Sequence, residues 1–251
     1  MDKKAFSLAE ALITLVVIGV VAAITLPNLI NNYRKNQVET KIKTAYSILS
    51  NAIKLTELQH GSINDLISHY SSNPIPNVTN TTKFSEELQK NIKYEKICKI
   101  SVGNQGGTNK CIDELYSKPM KHFNGTNISN KYYKHYILLS NGMLIAIEHA
   151  TAAPAIVFHA DIDGPNKGEN TIGKDIFSFS LFRTDVKSYG TYAPSNALYG
   201  GFRGYGFGNT WYNQDGGGKD AIKCEGAGWF CTTIIHKNGW KIPDDYPVKK
   251  W

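Results

Sequence analysis

Long basic runs are missing from this sequence: no five consecutive residues are Lys or Arg, although the chain holds 28 of them against 21 Asp and Glu. Its net charge of +7 is therefore scattered. That reads as a solvated basic surface, with nucleic-acid contact as the alternative. Cysteine is scarce, four in 251 residues, and neither close pair has the CxxC spacing or the neighbouring His of a structural zinc site. The glycine run GFRGYGFG is followed by no helical pattern that would seat a phosphate, which leaves a nucleotide loop without support. No internal repeat, no serine in a triad-like setting and no carboxylate pair in a cleft stands out, so the chain does not read as an enzyme. His149 and His159 fall in β-rich runs and read as strand residues rather than ligands. Charge is absent from Phe6 to Leu26 with one exception, Glu10.

That apolar stretch is the strongest feature present. About 20 apolar residues suffice to cross a bilayer, and a carboxylate near the start of such a helix costs a few kcal/mol unless something pairs with it. Lys3 and Lys4 precede the run and would stay cytoplasmic, which places the bulk of the chain outside. A cleaved secretory signal fits poorly, because its apolar core would be shorter and would end in a small-x-small site. Past Pro27 the pattern changes without stopping. Ile30, Tyr33, Val38, Ile42, Ala45, Leu49 and Ala52 recur at steps of about three and four, the stripe of an amphipathic helix. Nothing before Gln59 breaks it, and Gly61 is a reasonable stop. The expectation is one helix from about Phe6 to Gln59, roughly 80 Å long at 1.5 Å per residue. Pro27 and Gly19 are the places where it could bend.

The remaining roughly 190 residues suffice for one globular domain. Residues 61–82 are rich in Ser, Asn and Pro and read as loop, and a short helix is expected over about 83–90. Ser140-Asn141-Gly142 between two β-rich runs is the clearest hairpin signal. AIVFHADIDG reads as a strand entering a turn, and DIFSFSLFR alternates as a further strand. After Tyr189 the chain turns to Gly/Tyr/Trp-rich loops. There Tyr199, Phe202, Tyr205, Phe207, Trp211 and Tyr212 read as a loop packed over the sheet, with an exposed recognition surface as the alternative. The cysteines form two close pairs, Cys98 with Cys111 and Cys224 with Cys231. Outside the cytoplasm two disulfides are the natural reading; four cysteines allow three connectivities, and closeness alone favours the local one. Asp161, Asp163 and Asp175 could offer oxygens to Ca²⁺, but the full EF-hand spacing is missing, and turn residues are the competing reading.

The segment KKAFSLAEALITLVVIGVVAAITLP resembles the N-terminal signature of the type IV pilin and type II secretion pseudopilin family: a basic leader, a small residue, Phe-Thr-Leu-Ile-Glu and an apolar helix. Ala5 stands where that family usually has Gly, Ser7 replaces Thr, and Ala9 replaces Ile or Val. The resemblance implies cleavage by prepilin peptidase between Ala5 and Phe6, N-methylation of Phe6, and an assembly role for Glu10. It also places Pro27 where many members carry a helix-bending proline. ADIDGPNKGENTIGKDIFSFSL likewise resembles a loop and strand near the end of many pseudopilin heads, where some bind calcium.

The expected fold is α+β and pilin-like: a long N-terminal helix packed on an antiparallel sheet of about four strands, with disulfide-closed loops. The expected organisation is a leader (1–5), a transmembrane assembly helix (6–27), its amphipathic continuation (28–60) and a head (61–251). The expected function is a filament subunit of a type IV pilus or type II secretion pseudopilus in a bacterial inner membrane, crossing once with its head extracytoplasmic. Its expected partners are other pilin or pseudopilin subunits, prepilin peptidase and the inner-membrane assembly platform. The alternatives are a tip-type minor pilin that binds DNA or a surface, and a membrane-anchored domain that never polymerises.

Overall fold

The computed structural model describes residues 8–62, 78–99, 110–128, 133–149, 155–182, 201–204, 223–248 and 251. A single helix, α1 (Leu8–His60), runs through Pro27 without interruption. Its two halves have different environments. Up to Ile30 its large apolar side chains are exposed, whereas Ile42, Ala45, Leu49 and Ala52 are fully buried. These four lie at helical spacing, so one stripe of α1 faces the head and the opposite face is left to solvent. The helix ends at Gly61, whose N–H donates to the Glu57 carbonyl.

The sheet is antiparallel and six-stranded, with strands β1 (Tyr94–Lys99), β2 (Tyr133–Leu139), β3 (Leu144–His149), β4 (Ala155–Asp161), β5 (Ile176–Phe182) and β6 (Gly201–Gly204). Spatial order equals chain order. The Asn141-Gly142 turn joins β2 to β3. There Gly142 takes φ 84°, a left-handed conformation that glycine adopts without Cβ strain, and the Asn141 side chain accepts from the Met143 N–H at 3.1 Å.

Strand side chains alternate between the two faces. Ile145, Ile147, Phe158, Phe177 and Phe179 join the buried stripe of α1 in one core. Tyr136, Leu144, Ala146 and Ile176 form a second core on the other face, with Ile112, Leu115 and Met120. The last three come from α3 (Lys110–Leu115) and the segment after it. Because both faces are covered, β3 reads as a near-continuous apolar run. A helix, α2 (Val78–Lys90), packs Phe84 and Leu88 into the α1-side core.

Several elements depart from expectation. α2 begins five residues before the expected 83, inside the stretch read as loop. The sheet has two strands more than the four expected, one at each edge. β1 was concealed by its charges (YEKICK), and β6 by its glycines in a stretch read wholly as loop. α3 and the C-terminal helix α4 (Cys231–Lys237) are too short to show periodicity. α4 finishes the sheet edge: β6 pairs only with the far part of β5, and the Thr232 hydroxyl accepts the free Ser178 N–H at 2.8 Å.

Candidate functional site

In the first half of α1 the apolar side chains point outward all round. Leu8 is 80% exposed and Ile24 67%. The helix is long and apolar enough to cross a membrane, and none of its most apolar window is buried. The polar groups in this stretch are managed locally. Thr14 donates to the Ala11 carbonyl and Thr25 to the Val21 carbonyl, each at 2.9 Å. These bonds satisfy hydroxyls that lipid could not. Glu10 lies in the first turn of α1, where the positive end of the helix dipole favours a carboxylate. Pro27 sits inside the helix and supplies no N–H to the Ala23 carbonyl. Ala5 and Phe6 lie outside the described residues.

Both local cysteine pairs are bonded, Cys98 to Cys111 and Cys224 to Cys231. The first ties β1 to α3. The second ties the segment before α4 to the helix's first residue. Of the C-terminal aromatics, Phe202 stacks on Tyr46 of α1 with ring centroids 5.2 Å apart and meets Phe158 and Phe179 at 5.6 Å. It is packed between helix and sheet. Tyr199, Tyr205, Phe207, Trp211 and Tyr212 lie outside the described residues.

The β4–β5 loop does gather Asp161, Asp163 and Asp175. Asp161 accepts from the Gly164 N–H at 2.9 Å. Asp175 accepts from the backbone N–H groups of Glu169, Asn170 and Thr171. The loop folds so tightly that a Cβ at Gly168 would collide with the carboxylates of Asp175 and Asp163. Burial pushes Asp161 well above the usual carboxylate range, and the neighbouring Asp163 and Asp175 push it further. Burial also raises Asp175, against the lowering effect of its amide donors. These oxygens staple the loop as turn residues do. Among the described residues no group of three or more His, Cys, Asp or Glu is arranged to hold a metal.

The structure adds two features that the sequence did not disclose. First, Glu39 on α1 is 4% exposed. It accepts from the Ile242 N–H at 2.9 Å and from Lys241 Nζ at 2.6 Å. The chain end then follows α1 back towards its apolar half. The Trp251 N–H donates to Asn31 at 2.8 Å, Arg34 donates to the Trp251 carbonyl at 3.1 Å, and Lys35 pairs with Asp244 at 3.3 Å. A signal for Glu39 existed: it stands three residues before Ile42, in phase with the buried stripe.

Second, His159 bridges Ser178 and Glu148 across three adjacent strands, at 2.9 Å on each side. The order Ser–His–Glu is that of a hydrolase triad, but Ser178 and the His159 side chain are fully buried. No substrate carbonyl could reach the hydroxyl, and the group acts as a cross-strand hydrogen-bond network. His159 is thus a strand residue; His149 also lies on β3.

Residues 28–250 match the model of a family of unknown function (DUF6613). That match starts one residue after Pro27 and takes in the amphipathic half of α1 and the head. No curated protein and no solved structure matches the chain.

Proposed function

The chain belongs to that family of unknown function, and from its residues we propose that it is a pilin-type subunit, processed by prepilin peptidase and assembled into a filament through α1. One observation carries the reading. α1 is a single continuous element whose exposed apolar half passes into the buried stripe of the head. A plain anchor needs no such rigid coupling, whereas a subunit lifted out of the membrane does, because pulling on the helix then moves the head. The layout of one long helix on an antiparallel sheet is compatible with a pilin-like architecture. The two disulfides favour an oxidising compartment outside the cytoplasm. We propose a structural role rather than catalysis.

Glu10 has a physical task in this scheme. Cleavage after Ala5 leaves an α-amino group on Phe6, about half or more protonated near neutral pH. In a filament core of packed helices the Glu10 carboxylate would be desolvated, and the amino terminus of a neighbouring subunit would offset that cost. A single buried polar pair fixes register, as a buried Asn does in coiled coils. Mass spectrometry of the mature N-terminus tests the proposal. A chain beginning at methylated Phe6 is expected, and an intact Met1 in cells would sink it.

A further inference from the structure

Trp251 is held against α1 by its main chain. Its N–H donates to Asn31 Oδ1 at 2.8 Å, and its carbonyl accepts from Arg34 at 3.1 Å. Neither bond engages the indole N–H. The ring stacks on Tyr246 with centroids 5.8 Å apart, and the residue as a whole is half-buried. Arg34 is exposed, and Tyr33 beside it is 62% exposed. Tyr33 stands two residues past Asn31, about 200° around the helix, so the two lie on opposite sides of α1. Tyr33, Arg34 and the Trp251 main chain therefore surround α1 within about one helical turn.

Spacing along α1 gives this level a meaning. Ile30 is the last aliphatic residue of the exposed run before the buried stripe begins, and Glu10 lies twenty residues earlier. At 1.5 Å per residue that separation is about 30 Å, the thickness of a bilayer's hydrocarbon core. With Ile30 at one boundary of the core, Glu10 falls at the other, where its carboxylate still meets water and headgroups. Asn31 to Arg34 then occupy the polar layer, roughly 5–7 Å deep on each side. Trp, Tyr and Arg side chains favour that depth, because an apolar body meets lipid while the polar end stays wet. Drawing α1 outward by one turn would carry Glu10 about 5 Å into hydrocarbon, which disfavours its charge.

We propose that Trp251 is a second membrane contact, seated beside α1 in the polar layer of the head-side leaflet. With Tyr33 and Arg34 it forms a collar that fixes how deep the helix sits. The partner is the phospholipid surface, whose phosphate and ester oxygens accept from the Arg34 guanidinium and the indole N–H. This rests on the reading that α1 spans the membrane before assembly. The collar acts before the subunit leaves the membrane. It keeps Glu10 at the opposite boundary of the hydrocarbon, and extraction has to lift Trp251 off the lipid.

The test uses the full chain in phosphatidylcholine nanodiscs, with the lipid brominated either near the top of its acyl chains or near the bilayer centre. Bromine quenches an indole only at short range, so the two lipids report depth. The shallow lipid should quench part of the tryptophan emission, and Trp251→Phe should remove that part. The deep lipid should leave the Trp251 emission unquenched. Tyr33→Trp adds an indole on the opposite, exposed side of α1, and its emission should be quenched by the shallow lipid alone. Emission that is insensitive to the shallow lipid, or quenching that survives Trp251→Phe, would overturn the proposal and leave the filament reading standing. A Tyr33→Trp indole quenched chiefly by the deep lipid would do the same, since the level would then lie in hydrocarbon. Failure of the chain to enter nanodiscs would overturn both.

Discussion

Asp161, Asp163 and Asp175 show how a single loop can be held together by groups that repel one another. Burial and two neighbouring carboxylates raise Asp161 above its ordinary value of 3.8. The folded state therefore binds this proton more tightly than the unfolded chain. The resulting stability is fully present below about pH 3.8 and is lost as pH rises through the folded value. Asp161→Asn keeps the acceptor for the Gly164 N–H and removes the charge. Thermal melts should show a rise of a few degrees at pH 7, corresponding to roughly 1 kcal/mol in a domain of this size, and a flatter profile on the acid side. Lower stability at pH 7 would show that the charge is needed there. The three aspartates were legible as a cluster from DIDG and the later KDIF. That the oxygens of Asp161 and Asp175 serve backbone amides was not, because the donors to Asp175 lie on residues 169–171 of a loop whose path depends on Gly168.

The two halves of α1 draw their apolar residues from the same types, yet these answer to different surroundings. Leu49 is fully buried in the α1-side core, so Leu49→Ala should destabilise the head by about 2–5 kcal/mol through lost burial and the cavity left behind. Leu12 is 56% exposed, and Leu12→Ala should leave denaturant unfolding of the head unchanged. Equal costs at the two positions would mean that the halves do not behave as an exposed arm and a packed scaffold. At this scale the sequence was readable wherever periodicity ran long enough. The unbroken passage through Pro27, the stop at Gly61 and the hairpin at Asn141-Gly142 all follow from local pattern. The edge strands escaped because YEKICK is mostly polar and GFRG is half glycine. β6 is held by β5 on one side, and Phe202 packs against Tyr46, a residue 156 positions earlier in the chain.

The whole molecule is a head fixed to an arm at three levels. The sheet packs on the α1 stripe, Glu39 grips the segment around Ile242, and Trp251 returns to Asn31 and Arg34. Pulling on the apolar half therefore loads the head along its full contact with α1 rather than through a hinge. In an assembled filament the Glu10 carboxylate would sit among packed helices. Glu10→Ala should abolish filament assembly, or slow it at least tenfold, while membrane insertion and the melting temperature of the head stay unchanged. Electron microscopy of sheared filaments reads the assembly, and normal yield with unaltered subunit stagger would remove the register role.

Local chemistry alone determined the long helix, its switch from apolar to one-sided at Pro27, the hairpin, and the one charged position, Glu10, in the apolar run. Each depends on neighbours within a few turns, and the steps of two, three and four residues record them directly. Tertiary structure decided what depends on groups far apart in the chain. It selected one cysteine connectivity out of three, made a buried anchor of Glu39, and sealed Ser178 and His159 away from solvent. It also brought Trp251 to Arg34 and Asn31, which lie 217 and 220 residues earlier in the chain. No local pattern encodes such a meeting, because it exists only once the sheet has packed on α1 and the chain end has returned along it.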